Sequence, residues 1–256
     1  MDTINKASFI NSKKENLGSV IEVTRRITNV IDVDNYIYFD CEFTGLRKDT
    51  SLISIGFITS AGKTFYAEFT DYDERYVDDW IRDNVISNLL LKKIGSNTDL
   101  GYDTEHWSVK GDRKYIKTML ILWLEWLKRD KSDDFKFQFV SDVCHYDFVL
   151  LIDLLSGGKS AFDIPSYISP VCVDINQDIA LILLRDMTNV SSYRYTVHTV
   201  DYIDDVNYNT TAFDLSREEI ASLLCNKKYN ENTKHNSLHD AIVIRDIHRR
   251  IWGLDK

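Results

Sequence analysis

Residues 36–43 read Tyr36-Ile37-Tyr38-Phe39-Asp40-Cys41-Glu42-Phe43. Apolar and aromatic residues lead into two acids that stand two positions apart. On a strand, positions i and i+2 share a face, so Asp40 and Glu42 point the same way. The run ahead of them is too apolar for a surface strand. Carboxylates on a buried strand are costly unless something compensates their charge. A pair of divalent metal ions is the usual compensation, and such ions imply phosphate chemistry. Taken alone, Asp-x-Glu more often marks a strand that ends at the surface with two solvated acids. The rest of the chain decides between the two readings.

Two further strand-like runs follow, at 52–59 and 63–69, separated by short turns that contain Gly45 and Ala61-Gly62. Three strands with short links predict an antiparallel meander. Val77, Trp80, Ile81, Val85, Leu89 and Leu90 then form a stripe at helical period. Residues 95–114 are polar and contain glycine, which predicts a loop. The segment 115–129 reads as a helix, apolar on most of its circumference. A strand is expected at 135–140, ending near Ser141-Asp142. A helix at 147–155 is closed by Gly157-Gly158. A short strand at 171–173 and a helix near 177–184 come next. Ser216-x-x-Glu219 is a capping box ahead of 220–224, and a last helix is expected over 237–252. Strands first, then alternating helices and strands, predict an α/β domain with a mixed sheet over 31–256. Residues 1–30, with Val20, Val23, Ile27 and Val30 at roughly helical spacing, read as an N-terminal extension.

The bulk composition narrows the function. The chain has 256 residues, 44% apolar and 28% charged, as in ordinary globular proteins. The longest apolar candidate, 119–127, is interrupted by Glu125, well short of the roughly 18–20 residues of a membrane span. The N-terminus lacks the pattern of a secretory signal. Cys41, Cys144, Cys172 and Cys225 show no C-x-x-C pairing and read as buried thiols of a reducing, cytoplasmic compartment. A net charge of −9 argues against a processive clamp on long nucleic acid. It leaves room for a nuclease whose bound metal supplies positive charge where the phosphate sits. Basic pairs such as Lys13-Lys14, Arg113-Lys114 and Lys227-Lys228 read as solvated patches.

Three more residues complete a constellation. Asp147 follows a predicted strand and loop, where it serves either a site or a helix cap. Near the C-terminus stands His235-Asn236-Ser237-Leu238-His239-Asp240-Ala241. Five positions on a continuous helix subtend about 500°, which would leave His235 and Asp240 roughly 140° apart. They converge only if His235 lies on the loop entering the helix, and Asn236 and Ser237 are good N-cap residues at that place. His239 is the rival histidine and reads as packing or surface.

The motifs Phe39-Asp40-Cys41-Glu42-Phe43-Thr44-Gly45-Leu46, Ser141-Asp142-Val143-Cys144-His145-Tyr146-Asp147-Phe148 and 235–241 occur in that order. Over about residues 36–252 the chain resembles the DEDDh 3′-5′ exonucleases, which include oligoribonuclease, ribonuclease T and polymerase proofreading exonucleases. The stretch 65–73 with Trp80 and Asn84-Val85 resembles the exoribonucleases related to ribonuclease AS. Ser141-Asp142 departs from the His-Asn that the family often carries there, and Asp142 adds an extra acid.

The resemblance implies a ribonuclease H-like mixed β-sheet flanked by α-helices. It implies two Mg2+ or Mn2+ ions held by Asp40, Glu42, Asp147 and Asp240, with Asp40 bridging, and His235 as general base. It places the terminal nucleoside near Phe43, Thr44 and Leu46. The expected activity is 3′-5′ hydrolysis of single-stranded RNA or an RNA 3′ overhang to nucleoside 5′-monophosphates, with no membrane partner. Homodimers are common among such relatives. A DNA exonuclease of the same fold is the nearest alternative. A catalytically silent nucleic-acid-binding module is a more distant one, since all four acids and the histidine are present.

Overall fold

The computed structural model of the protein describes residues 35–91, 105–179, 216–230 and 233–254. The expected N-terminal extension and its helix lie outside these residues. The chain divides into two compact units, one of residues 33–174 and 229–245, the other of 1–32, 175–228 and 246–256.

Among the described residues the larger unit has six strands: β1 (Tyr36–Phe43), β2 (Leu52–Thr59), β3 (Thr64–Phe69), β4 (His106–Gly111), β5 (Phe137–Ser141) and β6 (Ile168–Asp174). They lie in the order β4-β3-β2-β1-β5-β6. The pairs β1–β2 and β2–β3 are antiparallel, which is the expected meander. The pairs β1–β5, β5–β6 and β3–β4 are parallel, so the sheet is mixed. Its helices are α1 (Asp79–Asn84), α2 (Arg113–Lys128) and α3 (Cys144–Ser156), and the first residues of α5 (Ser237–Trp252) also belong to it.

Alternation along β1 divides its side chains between two faces. Ile37, Phe39 and Cys41 join the main core. Phe39 lies 5.6 Å from Phe57 and 5.5 Å from Phe139, and Phe57 lies 6.0 Å from Trp123 of α2. Aromatic rings offset or edge-on at such distances add to the energy of burial. Asp40 and Glu42 take the opposite face, where their β2 partners are Gly56 and Ser54. The sequence expectation that both acids share a face therefore holds, and the apolar run ahead of them is the inner strand it was read to be.

Three expectations are corrected. Residues 106–111, read as loop, form the edge strand β4 parallel to β3. Only Val109 and Gly111 are buried there, so the apolar pattern is too sparse to signal a strand. The stripe from Val77 to Leu90 is not one helix but α1 between single turns at Glu74–Tyr76 and Ile86–Asn88. Asp78 caps Ile81 N at 2.8 Å, and the Asn84 and Asn88 amides donate to the Trp80 and Asn84 carbonyls, the local bonding that competes with helix. Helix α2 is one-sided, with Ile116, Met119, Leu120, Trp123 and Leu124 buried and Leu122 exposed.

The smaller unit has described residues at 175–179, which are helical, at 216–228 and at 246–254. Its helix α4 (Arg217–Cys225) opens on the expected capping box of Ser216 and Glu219. Arg250 donates to the Leu224 carbonyl at 2.9 Å, and Trp252 Nε1 donates to Asp178 at 3.0 Å. Residues 180–184 of the expected helix near 177–184 lie outside the described residues. No helix among the described residues is long and apolar enough to cross a membrane.

Candidate metal centre

The four expected acids reach one place from three elements of the larger unit. Asp40 and Glu42 come from β1, Asp147 from the first turn of α3, and Asp240 from the first turn of α5. Together with Asp142, a fifth acid, they form two groups of oxygens. Asp40, Glu42 and Asp240 make one, and Asp40, Asp142 and Asp147 make the other, each with ligand atoms within 4.8 Å of one another. Asp40 belongs to both.

Local sequence explains each placement. Helix α5 begins on the Asp40 face of the sheet because Gly56 leaves room for it and Ser54 Oγ meets Ser237 Oγ at 3.0 Å. Asn236 caps it, its Oδ1 accepting from His239 N at 3.2 Å. The cap reading of Asp147 is corrected. Val143 precedes α3 without a side-chain cap, and Asp147 accepts from the Ser141 hydroxyl instead. Helix α3 ends as expected on Gly157, in the left-handed conformation at φ 72°.

Asp147 is 1% exposed and Glu42 8%, while Asp40 is half-buried. Burial, then the charges of Asp147 and Asp240, holds the Asp40 carboxyl well above the usual range. Burial, then Asp240 and Asp147, does the same to Glu42, which also shares a side-chain hydrogen bond with Asp240. Asp147 is raised by burial and by Asp142, against a lowering contribution from the Ser141 hydroxyl. Among the described residues no lysine or arginine pairs with Asp40, Glu42 or Asp147. Hard oxygen donors that are crowded, buried and short of cationic partners suit Mg2+ or Mn2+. The residues present therefore fit such an ion.

His235 lies on the turn before α5, where the sequence placed it, with a left-handed φ of 59°. Its ring meets Trp80 edge to face at 4.9 Å. The turn is held by a partly buried network, in which Asn236 also donates to the Tyr66 hydroxyl at 3.4 Å. Asn88 donates to the Lys234 carbonyl at 2.7 Å, and Asn236 donates to the Asn88 carbonyl at 3.0 Å. Glu68, fully buried, accepts from Tyr66, Leu91 N and Lys110. Burial and Glu68 raise the Tyr66 hydroxyl above its ordinary range. His239 is half-buried, its ring 6.5 Å from Tyr229.

The three residues expected at the terminal nucleoside have different surroundings. Phe43 stacks on Tyr146 at 5.6 Å. Thr44 is fully buried, and its hydroxyl bonds Thr50, Ser51 and Ser51 N within the turn. Leu46 is 70% exposed. Sequence reasoning passed over Trp80 as a neighbour of His235, Gly56 as the seat of α5, and Asp142 as a full member of the second acidic group. A glycine amid an apolar strand was a usable signal for close backbone approach.

No protein-family model matches the chain, and no curated protein matches it. Solved structures do. The RNase domain of the yeast Pop2 protein superposes with a TM-score of 0.50 at 14% identity, over 94% of this chain and 84% of that one. The structure of yeast NOT1 MIF4G domain co-crystallized with CAF1 gives 0.45 at 13% identity, over 94% and 86%. S. pombe Pop2p in its Mg2+- and Mn2+-bound form gives 0.40 at 14% identity, over 91% and 88%. The six-stranded mixed sheet with its flanking helices has the ribonuclease H-like fold of the Pop2 RNase domain.

Proposed function

We propose that the protein is a metal-dependent 3′-5′ exoribonuclease that releases nucleoside 5′-monophosphates from RNA 3′ ends. The observation that carries this reading is the sharing of Asp40 between two three-carboxylate groups. That arrangement suits two ions flanking one phosphate. The RNase named for the Pop2 domain of the same fold supports RNA as substrate.

Asp40, Glu42 and Asp240 would hold one Mg2+ or Mn2+, and Asp40, Asp147 and Asp142 the other. Such a pair supplies an acidified water and stabilises the departing 3′ oxygen. The imidazole of His235 takes the proton of the attacking water as general base. Trp80 limits the swing of that ring. Leu46 and Phe43 contact the terminal nucleoside, and Thr44 acts through the turn that carries Leu46.

RNA labelled at its 5′ end or its 3′ end, incubated with Mn2+, tests the proposal. The 5′ label should run down a ladder shortening from the far end, and the 3′ label should appear at once as a nucleoside 5′-monophosphate. Internal fragments or release from the 5′ end would overturn it. Faster loss of a matched DNA would move the substrate to DNA.

A further inference from the structure

The Sγ atoms of Cys144 and Cys172 lie 2.8 Å apart, 28 positions apart in sequence. Cys144 is the first residue of α3 and Cys172 stands on β6. Cys144 also reaches the Val173 carbonyl at 3.2 Å, so its side chain is already turned toward β6. Both residues are half-buried, within reach of a small oxidant. A disulfide needs sulfurs at about 2.05 Å, so closure has to draw the two segments together by under about 1 Å.

Both segments carry acids of the centre or its rim. Asp142 precedes Cys144 by two residues, and Asp147 follows it by three, on the same side of α3. Asp174 follows Cys172 by two, on the same face of β6, and its charge acts on Asp147. A covalent tie at this point pulls on the start of the helix that presents Asp147. Close-packed interiors transmit such shifts rather than absorb them.

We propose that Cys144 and Cys172 are a redox-sensitive pair whose oxidation to a disulfide weakens divalent-ion binding at the neighbouring acids. The oxidant is a hydroperoxide. One thiol sulfur takes an oxygen from hydrogen peroxide, giving a sulfenic acid and one water. The second thiol attacks that sulfur, the S–S bond forms, and the hydroxyl leaves with the thiol proton as a second water. Two thiols and one peroxide become one disulfide and two waters. A dithiol reverses the reaction by exchange. The coupling to metal rests on the reading of the acids as an ion site; formation of the bond does not.

The test treats the full chain with hydrogen peroxide, desalts it, and pairs peptide mapping with Mn2+ titration. Expected are a linked peptide containing Cys144 and Cys172, two hydrogens lighter than its parts, and Mn2+ binding at least tenfold weaker. Dithiothreitol followed by desalting restores the affinity. Cys172→Ser and Cys144→Ser bind Mn2+ like the reduced protein before and after peroxide. Absence of the linked peptide overturns the pair. A linked peptide with unchanged Mn2+ affinity overturns the coupling. Reduced protein that binds no Mn2+ overturns the ion site and the coupling with it, a failure distinct from the other two.

Discussion

Gly56 lets the backbone of Leu238 lie directly on the sheet: a Cβ placed on Gly56 would come within 2.3 Å of Leu238 N. The contact is backbone against backbone space, so no side-chain rotation relieves it. It fixes where α5 starts, and Asp240 lies two residues beyond. Gly56→Ala is expected to cost about 1–3 kcal/mol or more, as overpacking does. Thermal unfolding should show a lower Tm, and Mn2+ should bind more weakly as Asp240 shifts. A variant with unchanged Tm would contradict this account of how α5 is seated.

Asp40 is the most crowded of the acids, and the crowding costs stability when no ion is present. A raised carboxyl binds its proton more tightly in the folded chain than in the unfolded one. The metal-free protein therefore loses stability as pH rises above the ordinary carboxylate value of about 4. Asp40→Asn should raise the metal-free Tm at pH 7 while abolishing the Mn2+-induced rise. Each kcal/mol gained is worth about 2–4 °C in a chain of this size. A lower metal-free Tm would count against the repulsion.

His248 makes an opposite pH dependence. Burial pushes its imidazole down to about 3, so the folded chain stays neutral there while the unfolded chain takes a proton near the ordinary value of about 6.5. Stability from this group is complete above about 6.5 and is lost as pH falls toward 3, at up to about 1.4 kcal/mol per pH unit. His248→Gln should unfold with a shallower loss between pH 7 and pH 5 in urea titrations. Equal slopes for variant and parent would contradict the assignment.

His235 and His239 should separate clearly in rate. His235→Ala is expected to lower turnover by about 10²–10⁴-fold, the range of a lost general base. Trp80→Ala should cost less, through a looser His235 ring, and His239→Ala least. Single-turnover digestion of labelled RNA ranks them. The largest loss at His239 would transfer the base to that residue.

Much of this was legible in the chain. The alternation of 36–43 placed Asp40 and Glu42 on one face, and the runs at 52–59 and 63–69 announced the meander, because buried inner strands need dense apolar sequence. Asn236 announced the start of α5 by capping chemistry, which is local. The edge strand at 106–111 was hidden because an edge buries little and Lys110 spends its charge on Glu68, 42 positions away. Asp142 was legible only as an extra acid, because its nearness to Asp40 exists only once β5 lies beside β1. Trp80 looked like core by its period, yet is 54% exposed beside His235, a relation set by the turn at 233–236.

On the proposed function Asp40 serves two ions at once, and calorimetric titration of the metal-free protein with Mn2+ counts them. Two ions should bind, with one lost in Glu42→Gln, one lost in Asp147→Asn, and both lost or gravely weakened in Asp40→Asn. A single site, or an Asp40→Asn variant that still takes up two ions, would contradict it.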